Sequence, residues 1–459
     1  MARAKLPRLV IAGLAGDSGK SLVSLGLIRA LRRRGLDVAP FKKGPDFIDA
    51  AWLAAAAGTP CRNLDTFMMP HDAILSSLAE GGRDAAVAVV EGNRGLYDGA
   101  DAGGSHSTAQ LAKLLGAPVV LVIDVTKATR TVAAQALGCR MLDPDVRLAG
   151  VILNRVGTRR QEKVIREALA VDAGLPVLGA IPKLSDQHLP SRHLGLVTAP
   201  EHPELEKTLE RVADIVAEHT DIPALLASAG EAAELPAAET SSPGTLPRRD
   251  VRIGVLKDRA FSFYYPENLA ALETAGAELR TISPLTDDEL PDIDGLYAGG
   301  GFPEIYAAEL SGNRPLREAL ARRIDQGLPV WAECGGLMYL SRTLVADGTA
   351  HEMVGAIPVV VEQTARPQGH GYVRGRPDRA NPILDEDTDL CGHEFHYSRL
   401  RDGAGDVPTV IALSRGTGVG GGRDGLRVGQ AVAAYTHLHA LATPGWAGGL
   451  VRAATGSLQ

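Results

Sequence analysis

The sequence predicts an α/β protein of two domains, each a largely parallel sheet wrapped by helices, joined by a polar linker. Three observations carry this expectation. Short apolar runs alternate with helix-period segments along 8–181 and again from 251 onward, the rhythm of parallel strands with helical crossovers. Residues 222–250 instead favour Ala, Glu, Ser, Thr and Pro, as in Glu239-Thr240-Ser241-Ser242-Pro243, a composition poorly suited to burying a core. At 459 residues the chain exceeds one ordinary core. The expected division is 1–221, a linker over 222–250, and 251–459.

Bulk properties narrow the function. The balance of 45% apolar and 22% charged residues is that of a soluble globular protein. A net charge of −7 argues against a nucleic-acid partner. The one basic triplet, Arg32 to Arg34, sits at a helix end, where cations suit the helix dipole. Cys61, Cys139, Cys334 and Cys391 are widely spaced with no Cys-x-x-Cys, the usage of a reducing compartment. No signal-peptide pattern is visible, and no apolar run approaches the roughly 20 residues that span a bilayer. A cytoplasmic protein without a membrane partner is expected.

In chain order, a strand over 8–12 runs into Gly13-Leu-Ala-Gly-Asp-Ser18-Gly19-Lys20-Ser21. Leu22, Leu25, Ile28 and Leu31 then follow at helical spacing, with Gly35 as the stop. Strand, glycine loop, Lys-Ser and helix form the context of a phosphate-binding loop. Its amides and the helix N-terminus cradle phosphates, Lys20 reaches the outer phosphates, and the Ser21 hydroxyl suits Mg²⁺.

A second strand over 38–41 leads to Lys42-Lys43-Gly-Pro-Asp46-Phe-Ile-Asp49. Two carboxylates three apart share one face of a helical start. They are read as Mg²⁺ ligands, or as helix caps. The apolar strand over 85–90 ends at Glu91, where an acid at the C-terminal end of a parallel strand suits metal ligation. Asp98 is read as a metal or substrate contact, or as the turn before Gly99. The strand over 148–154 ends in Asn154, read either as an adenine contact or as the cap of the next helix.

In the second domain, an apolar run ends at Trp331-Ala-Glu-Cys334-Gly-Gly. Strand, tight turn and helix, with a thiol at the bend, have the geometry of a nucleophile elbow. Amides at the start of the next helix favour a thiolate. About a hundred residues later, 432–439 reads as a strand ending in His437 and His439, two apart and so on one face. Tyr297-Ala-Gly-Gly300-Gly301 is a strand ending in amides suited to an oxyanion. The His-x-x-His of Gly392-His393-Glu394-Phe395-His396-Tyr397-Ser398 lies on an alternating strand, so a zinc site is rejected.

These motifs, in this order, resemble the class I glutamine amidotransferase domain of the cobyric and cobyrinic acid synthases. The N-terminal loop, with five residues between Gly13 and Gly19, looks like that of dethiobiotin synthetase and the same synthases. The likeness covers nearly the whole chain and is closest to cobyrinic (or hydrogenobyrinic) acid a,c-diamide synthases. It implies a P-loop parallel sheet with helices on both faces, followed by an amidotransferase α/β domain. It implies Cys334 as nucleophile, His437 as base and Gly300 and Gly301 as oxyanion donors. His439, standing where other triad amidotransferases carry Glu, is left as orienter, substrate contact or packed residue. ATP and Mg²⁺ are the implied cofactors. L-Glutamine and a polycarboxylate tetrapyrrole are the implied partners, with a homodimer left open. Because free ammonia is mostly protonated at neutral pH, a shielded route between the domains is expected.

The sequence departs from the family at Lys43, usually small and apolar, and at Asn93-Arg94, usually an apolar pair. Lys43, Arg94 and Asp98 are therefore read as acceptor contacts, and sirohaem amidation is kept as a rival. An ATP-gated regulatory module with an inactive amidotransferase domain is the competitor from another class. A dethiobiotin-synthetase-like ligase would leave the second domain without a task.

Overall fold

A computed structural model describes residues 6–184, 191–192, 195–196, 202, 204–235, 251–402 and 405–456. The chain divides into two compact units, Met1–Thr240 and Ser241–Gln459.

Among the described residues, the N-terminal unit is built on a seven-stranded sheet. Its spatial order is Arg62–Leu64, Val38–Lys43, Val87–Gly95, Arg8–Gly13, Val119–Asp124, Leu148–Val156, Val177–Pro182. Every pairing is parallel. Leu9 and Ile11 point into a core shared with helices Lys20–Arg33, Phe47–Ala57, Leu205–His219 and Ile222–Gly230. Val10 and Ala12, on the other face, are equally buried, so helices cover both sides. Gly26 lets Lys20–Arg33 press onto Leu205–His219, since a Cβ there would meet the Val212 carbonyl at 2.6 Å. Arg29 ties the same pair through Glu206 and Glu210.

The linker was expected to begin at 222, but Ile222–Gly230 is a helix. Asp221 caps it by accepting the Ala224 N–H at 2.9 Å, Pro223 sits in its first turn, and Ile222, Leu225 and Ala229 are buried. The alanine-rich composition masked an apolar stripe of only three residues. Residues 236–250 lie outside the described residues.

The C-terminal unit has a mixed ten-stranded sheet among its described residues. Four neighbouring strands, Val251–Leu256, Gly295–Ala298, Val330–Glu333 and Ala431–Ala434, run parallel, with Ala277–Ile282 parallel at the edge. Arg423–Val428, Thr409–Arg415, Gly369–Pro377, Leu390–His396 and His437–Leu438 extend it antiparallel. A four-stranded sheet, Thr349–Glu352, Ser341–Ala346, Ile357–Gln363 and Ser398–Asp402, stands apart.

The stretch 432–439 is not one strand. Ala431–Ala434 pairs with Val330–Glu333, and His437–Leu438 crosses to pair with Leu390–His396. Buried Asp424 fixes the break by accepting the Tyr435 and Thr436 N–H groups, each at 3.0 Å, and the Thr436 hydroxyl at 2.7 Å.

Candidate active sites

In each unit, neighbouring parallel strands deliver residues to the C-terminal edge of the sheet, the usual place for ligands in such folds. In the N-terminal unit these strands end at Gly13, Lys43 and Gly95. Gly19 adopts φ +99°, and a Cβ there would stand 2.1 Å from Asn154 Nδ2, so glycine is required on both grounds. Asn154 Nδ2 donates to the Ser18 carbonyl at 2.9 Å. Asn154 therefore braces the loop. It does not cap the following helix, where Thr158 accepts the Gln161 N–H at 3.1 Å. Inside the loop, the Ser18 hydroxyl and Lys20 Nζ both donate to the Ala15 carbonyl, at 2.9 and 2.8 Å. Burial, and then the neighbouring Lys42, hold the Lys20 ammonium below its ordinary range.

Beside the loop lies a cluster that sequence reasoning only partly found. Ser21 Oγ donates to Glu91 Oε1 at 3.0 Å. Lys42 Nζ reaches Glu91 Oε1 at 2.7 Å and Asp49 Oδ2 at 2.6 Å. Asp46 caps Phe47–Ala57, accepting the Asp49 N–H at 2.9 Å. Burial alone would depress the Lys42 ammonium, but Asp49 and Glu91 override it and hold it above its ordinary range. Burial and then Asp49 push the Asp46 carboxyl up to about 7. Burial raises Glu91 against the pull of Lys42. For Asp49, burial is outweighed by Lys42, which holds it low.

Lys42 was passed over in favour of Lys43. Its signal was its register: residue 42 pairs directly with Glu91 on the neighbouring strand. Among the described residues, no three His, Cys, Asp or Glu side chains form a preformed metal cage. Glu91 Oε2 is nevertheless buried without a hydrogen-bond partner, beside the Ser21 hydroxyl. That pair fits Mg²⁺, which takes one or two protein oxygens and completes its shell with phosphate and water.

The expected acceptor residues fall into different settings. Lys43 is buried at the end of its strand, and its ammonium is lowered by burial, with Asp65 as the opposing charge. Arg94 is exposed and has φ +52°. Asp98 is exposed and uses its carboxylate locally, accepting the Gly95 N–H at 2.8 Å, which is the turn reading.

In the C-terminal unit, the strands ending at Ala298, Glu333 and Ala434 bring the second set together. Cys334 has φ +48° and ψ −99°, a strained elbow at the start of Gly335–Leu340, and its N–H donates to the Ala434 carbonyl at 2.7 Å. Gly301 and Gly335 face one another: a Cβ on Gly335 would lie 2.9 Å from the Gly301 nitrogen. The His437 ring lies over Gly300, where a Cβ would meet its Cε1 at 2.4 Å. Cys334, Gly300 and Gly301 therefore lie at one edge of adjacent strands, with the His437 ring against Gly300.

The amides favour the thiolate as expected, and burial opposes them. Burial, followed by the charge of Glu304, raises the Cys334 thiol well above its usual range, and the Gly335 N–H offsets only part of this. The two histidines also separate. His437 Nδ1 stands 3.5 Å from Glu333 Oε2, and its ring stacks on His393 at 4.9 Å. His439 packs on Tyr265 at 4.5 Å, with Nε2 3.6 Å from Glu267 Oε2 and Nδ1 accepting the Leu441 N–H at 3.2 Å. The packed reading of His439 is the one its contacts match. Period-two reasoning missed this because residue 437 starts a new strand. His393, in the stretch left without a role, backs the His437 ring, and burial followed by the two neighbouring histidines keeps it well below the ordinary imidazole range.

Comparison with known proteins gives consistent results. A family described as the CobQ/CobB/MinD/ParA nucleotide binding domain matches residues 9–197, and the CobB/CobQ-like glutamine amidotransferase domain matches residues 252–445. The cobyrinate a,c-diamide synthase of Magnetococcus marinus is 43% identical over 98% of this chain and 97% of its own length. That of Archaeoglobus fulgidus is 43% identical over 95% of each chain. That of Methanosarcina acetivorans is 42% identical over 98% of this chain and 95% of its own. Among the described residues, no helix is long and apolar enough to cross a membrane.

Proposed function

The chain belongs to the cobyrinate a,c-diamide synthase family of glutamine-hydrolysing ligases, and on that premise we propose that it amidates the a- and c-acetate carboxylates of cobyrinic or hydrogenobyrinic acid, using ATP and glutamine. One observation supports the reading above the rest. One unit holds a phosphate loop beside Lys42, Asp49 and Glu91, and the other holds Cys334 and paired glycines at the ends of adjacent strands, with His437 against Gly300. Each half of the chemistry has its own machinery. None of the four cysteines is joined in a disulfide, which suits a reducing cytoplasm.

A carboxylate resists attack by ammonia because it is anionic and oxide is a poor leaving group. In the N-terminal unit an acetate oxygen of the acceptor attacks the γ-phosphorus of ATP, the bond to ADP breaks, and an acyl phosphate forms. Loop amides, Lys20 and Lys42 stabilise the charge on the transferring group. Ser21 and Glu91, with Asp49 at hand, would hold Mg²⁺, which supplies charge neutralisation on the phosphates. Ammonia then attacks the acyl carbon, phosphate leaves, and the amide sheds a proton. Arg94, exposed near the end of Val87–Gly95, would meet acceptor carboxylates.

In the C-terminal unit the Cys334 thiol proton passes to His437 as sulfur bonds the glutamine carboxamide carbon. The carbonyl electron pair moves to oxygen, held by the Gly300 and Gly301 amides. On collapse the C–N bond breaks, and the leaving nitrogen takes the proton from His437 and departs as ammonia. Water then cleaves the thioester, releasing glutamate and restoring the thiol.

The test is Cys334→Ala. Glutamine-dependent amidation should fall by on the order of 10³-fold or more, while added ammonium salt still supports it. Loss of both activities, or retention of both, would contradict the division of labour. Product mass spectrometry on cobyrinic acid, hydrogenobyrinic acid and sirohaem in parallel identifies the acceptor. Amidation of sirohaem alone would replace the corrinoid reading.

A further inference from the structure

Triad amidotransferases need an acceptor behind the catalytic imidazole, and the residue two beyond His437 is a histidine engaged elsewhere. We propose that Glu333, the residue immediately before the nucleophile, is the carboxylate that orients His437 and fixes its tautomer. The proposal rests on the reading of Cys334 and His437 as nucleophile and base.

Four observations place Glu333 in this role. It is 1% exposed, at the end of the strand that carries Cys334. Its Oε1 accepts the Trp331 indole N–H at 2.8 Å and the Leu438 N–H at 3.2 Å. Its Oε2 accepts the Tyr297 hydroxyl at 3.2 Å, and burial, followed by the Glu333 charge, keeps that phenol protonated well above its ordinary range. This same Oε2 stands 3.5 Å from His437 Nδ1. Three donors thus clamp the carboxylate on three sides, and His437 Nδ1 faces what remains of it. The ring cannot swing freely, because it stacks on His393 on one side and lies against Gly300 on another.

The chemical consequence is definite. An acceptor facing Nδ1 selects the tautomer with hydrogen on Nδ1, leaving Nε2 with the lone pair that takes the Cys334 proton. When that proton arrives, the imidazolium lies against a buried carboxylate, which lowers the energy of the charged intermediate. The resting thiol is held protonated by burial, so cleavage depends on this base more than it would with a preformed thiolate. Glu333 acts through His437 and is a positioning residue. The arrangement moves the third member of the triad from the histidine strand to the nucleophile strand. That relocation explains how His439 is free to pack against Tyr265 and Glu267.

Glu333→Gln separates this role from a structural one. Its amide oxygen still accepts from Trp331 and Leu438, and Tyr297 can accept from the new NH₂, so the packing contacts persist. The NH₂ group also donates toward Nδ1, which selects the opposite tautomer. The kcat for glutamine hydrolysis should therefore fall by on the order of 10²-fold or more, with KM for glutamine within a few-fold and the melting temperature little changed. Glu333→Asp, which keeps an acceptor, should recover part of kcat.

A wild-type measurement guards against a variant that fails to fold. In protein labelled with ¹⁵N-histidine, with His437 assigned by its absence in His437→Ala, the resting ring should carry its proton on Nδ1. A wild-type kcat in Glu333→Gln, or a proton on Nε2 in the resting enzyme, would overturn the proposal. Cys334→Ala run in parallel distinguishes the failures. If it still hydrolyses glutamine, the amidotransferase reading falls. If it is dead while Glu333→Gln is fully active, only the orienting role falls.

Discussion

In the N-terminal unit, strands ending at Gly13, Lys43 and Gly95 deliver charge. Three carboxylates and two ammonium groups are crowded together, and the Lys42 ammonium lies bonded between Asp49 and Glu91. In the C-terminal unit, strands ending at Ala298, Glu333 and Ala434 deliver a buried thiol, a stacked imidazole and backbone amides, and the charges that act most on Cys334 are the carboxylates of Glu304, Glu333 and Asp424. The topological device is the same, and the electrostatic state is opposite. Phosphoryl transfer, the chemistry proposed for the first site, moves several charges at once, and compensating charges stand there before substrate arrives. Amide cleavage, the chemistry proposed for the second site, starts from a neutral thiol, and burial there holds the Cys334 proton until a base takes it.

The largest test of that contrast is Lys42→Met. If Lys42 compensates the acidic cluster, its loss leaves Glu91 buried and unpaired and Asp49 partly so. Stability should drop by about 3 kcal/mol, given that removing one partner of a buried pair is costly. Ammonia-supported amidation should fall by on the order of 10²-fold or more. Mg²⁺ should raise the melting temperature of the variant more than that of the wild type, because a bound cation replaces the missing charge. An unchanged melting temperature with unchanged activity would break the comparison on the N-terminal side.

The effect next in size concerns Cys334. Burial raises its thiol above the ordinary range, so at pH 8 only a small fraction is thiolate. The reactive fraction of a thiol grows about tenfold per pH unit below its pKa. Labelling of the Cys334 peptide by iodoacetamide should therefore keep climbing through pH 9 to 10. The sign follows from the raised folded-state value: between the ordinary thiol value and the raised one, the folded protein holds the proton that an unfolded chain has lost. Early levelling at Cys334 would mean a preformed thiolate and would erase the difference between the two sites.

Those two tests fall on residues that the sequence exposed unequally. The phosphate loop and the cysteine elbow were legible because each is a local event: a strand, a glycine with special backbone freedom, and a helix in one continuous stretch. Lys42, Glu333 and Asp424 were not, although the first two lie in or beside a motif. Their roles depend on which strand lies next to which. Lys42 faces Glu91 across a parallel pairing 49 residues apart in sequence, and Asp424 reaches back from a neighbouring hairpin to Thr436. Alternation could suggest that His437 and His439 share a face. It could not show that the chain changes strands between Ala434 and His437. The helix Ile222–Gly230 was hidden for a simpler reason: its alanines carry helix propensity but little hydrophobic contrast.

The smallest effect sharpens the same lesson at one residue. Asn154 lies on the strand two positions from Arg8–Gly13, which leads into the loop, and its amide donates to the Ser18 carbonyl at 2.9 Å. Its amide fills the space that any side chain at residue 19 would need. Asn154→Ala removes one buried hydrogen bond, worth about 1 kcal/mol, and leaves room for the loop to sample other forms. The expected result is a rise in the KM for ATP of roughly five- to tenfold, with kcat for ammonia-supported amidation nearly unchanged and glutamine hydrolysis untouched. Steady-state kinetics with varied ATP gives the answer directly. A fall in kcat at saturating ATP would instead mean that Asn154 acts on the transferring phosphoryl group. The charged site would then depend on an uncharged residue for chemistry as well as for shape. An unchanged KM would show that Gly13, Ser18 and Lys20 hold the loop without outside support.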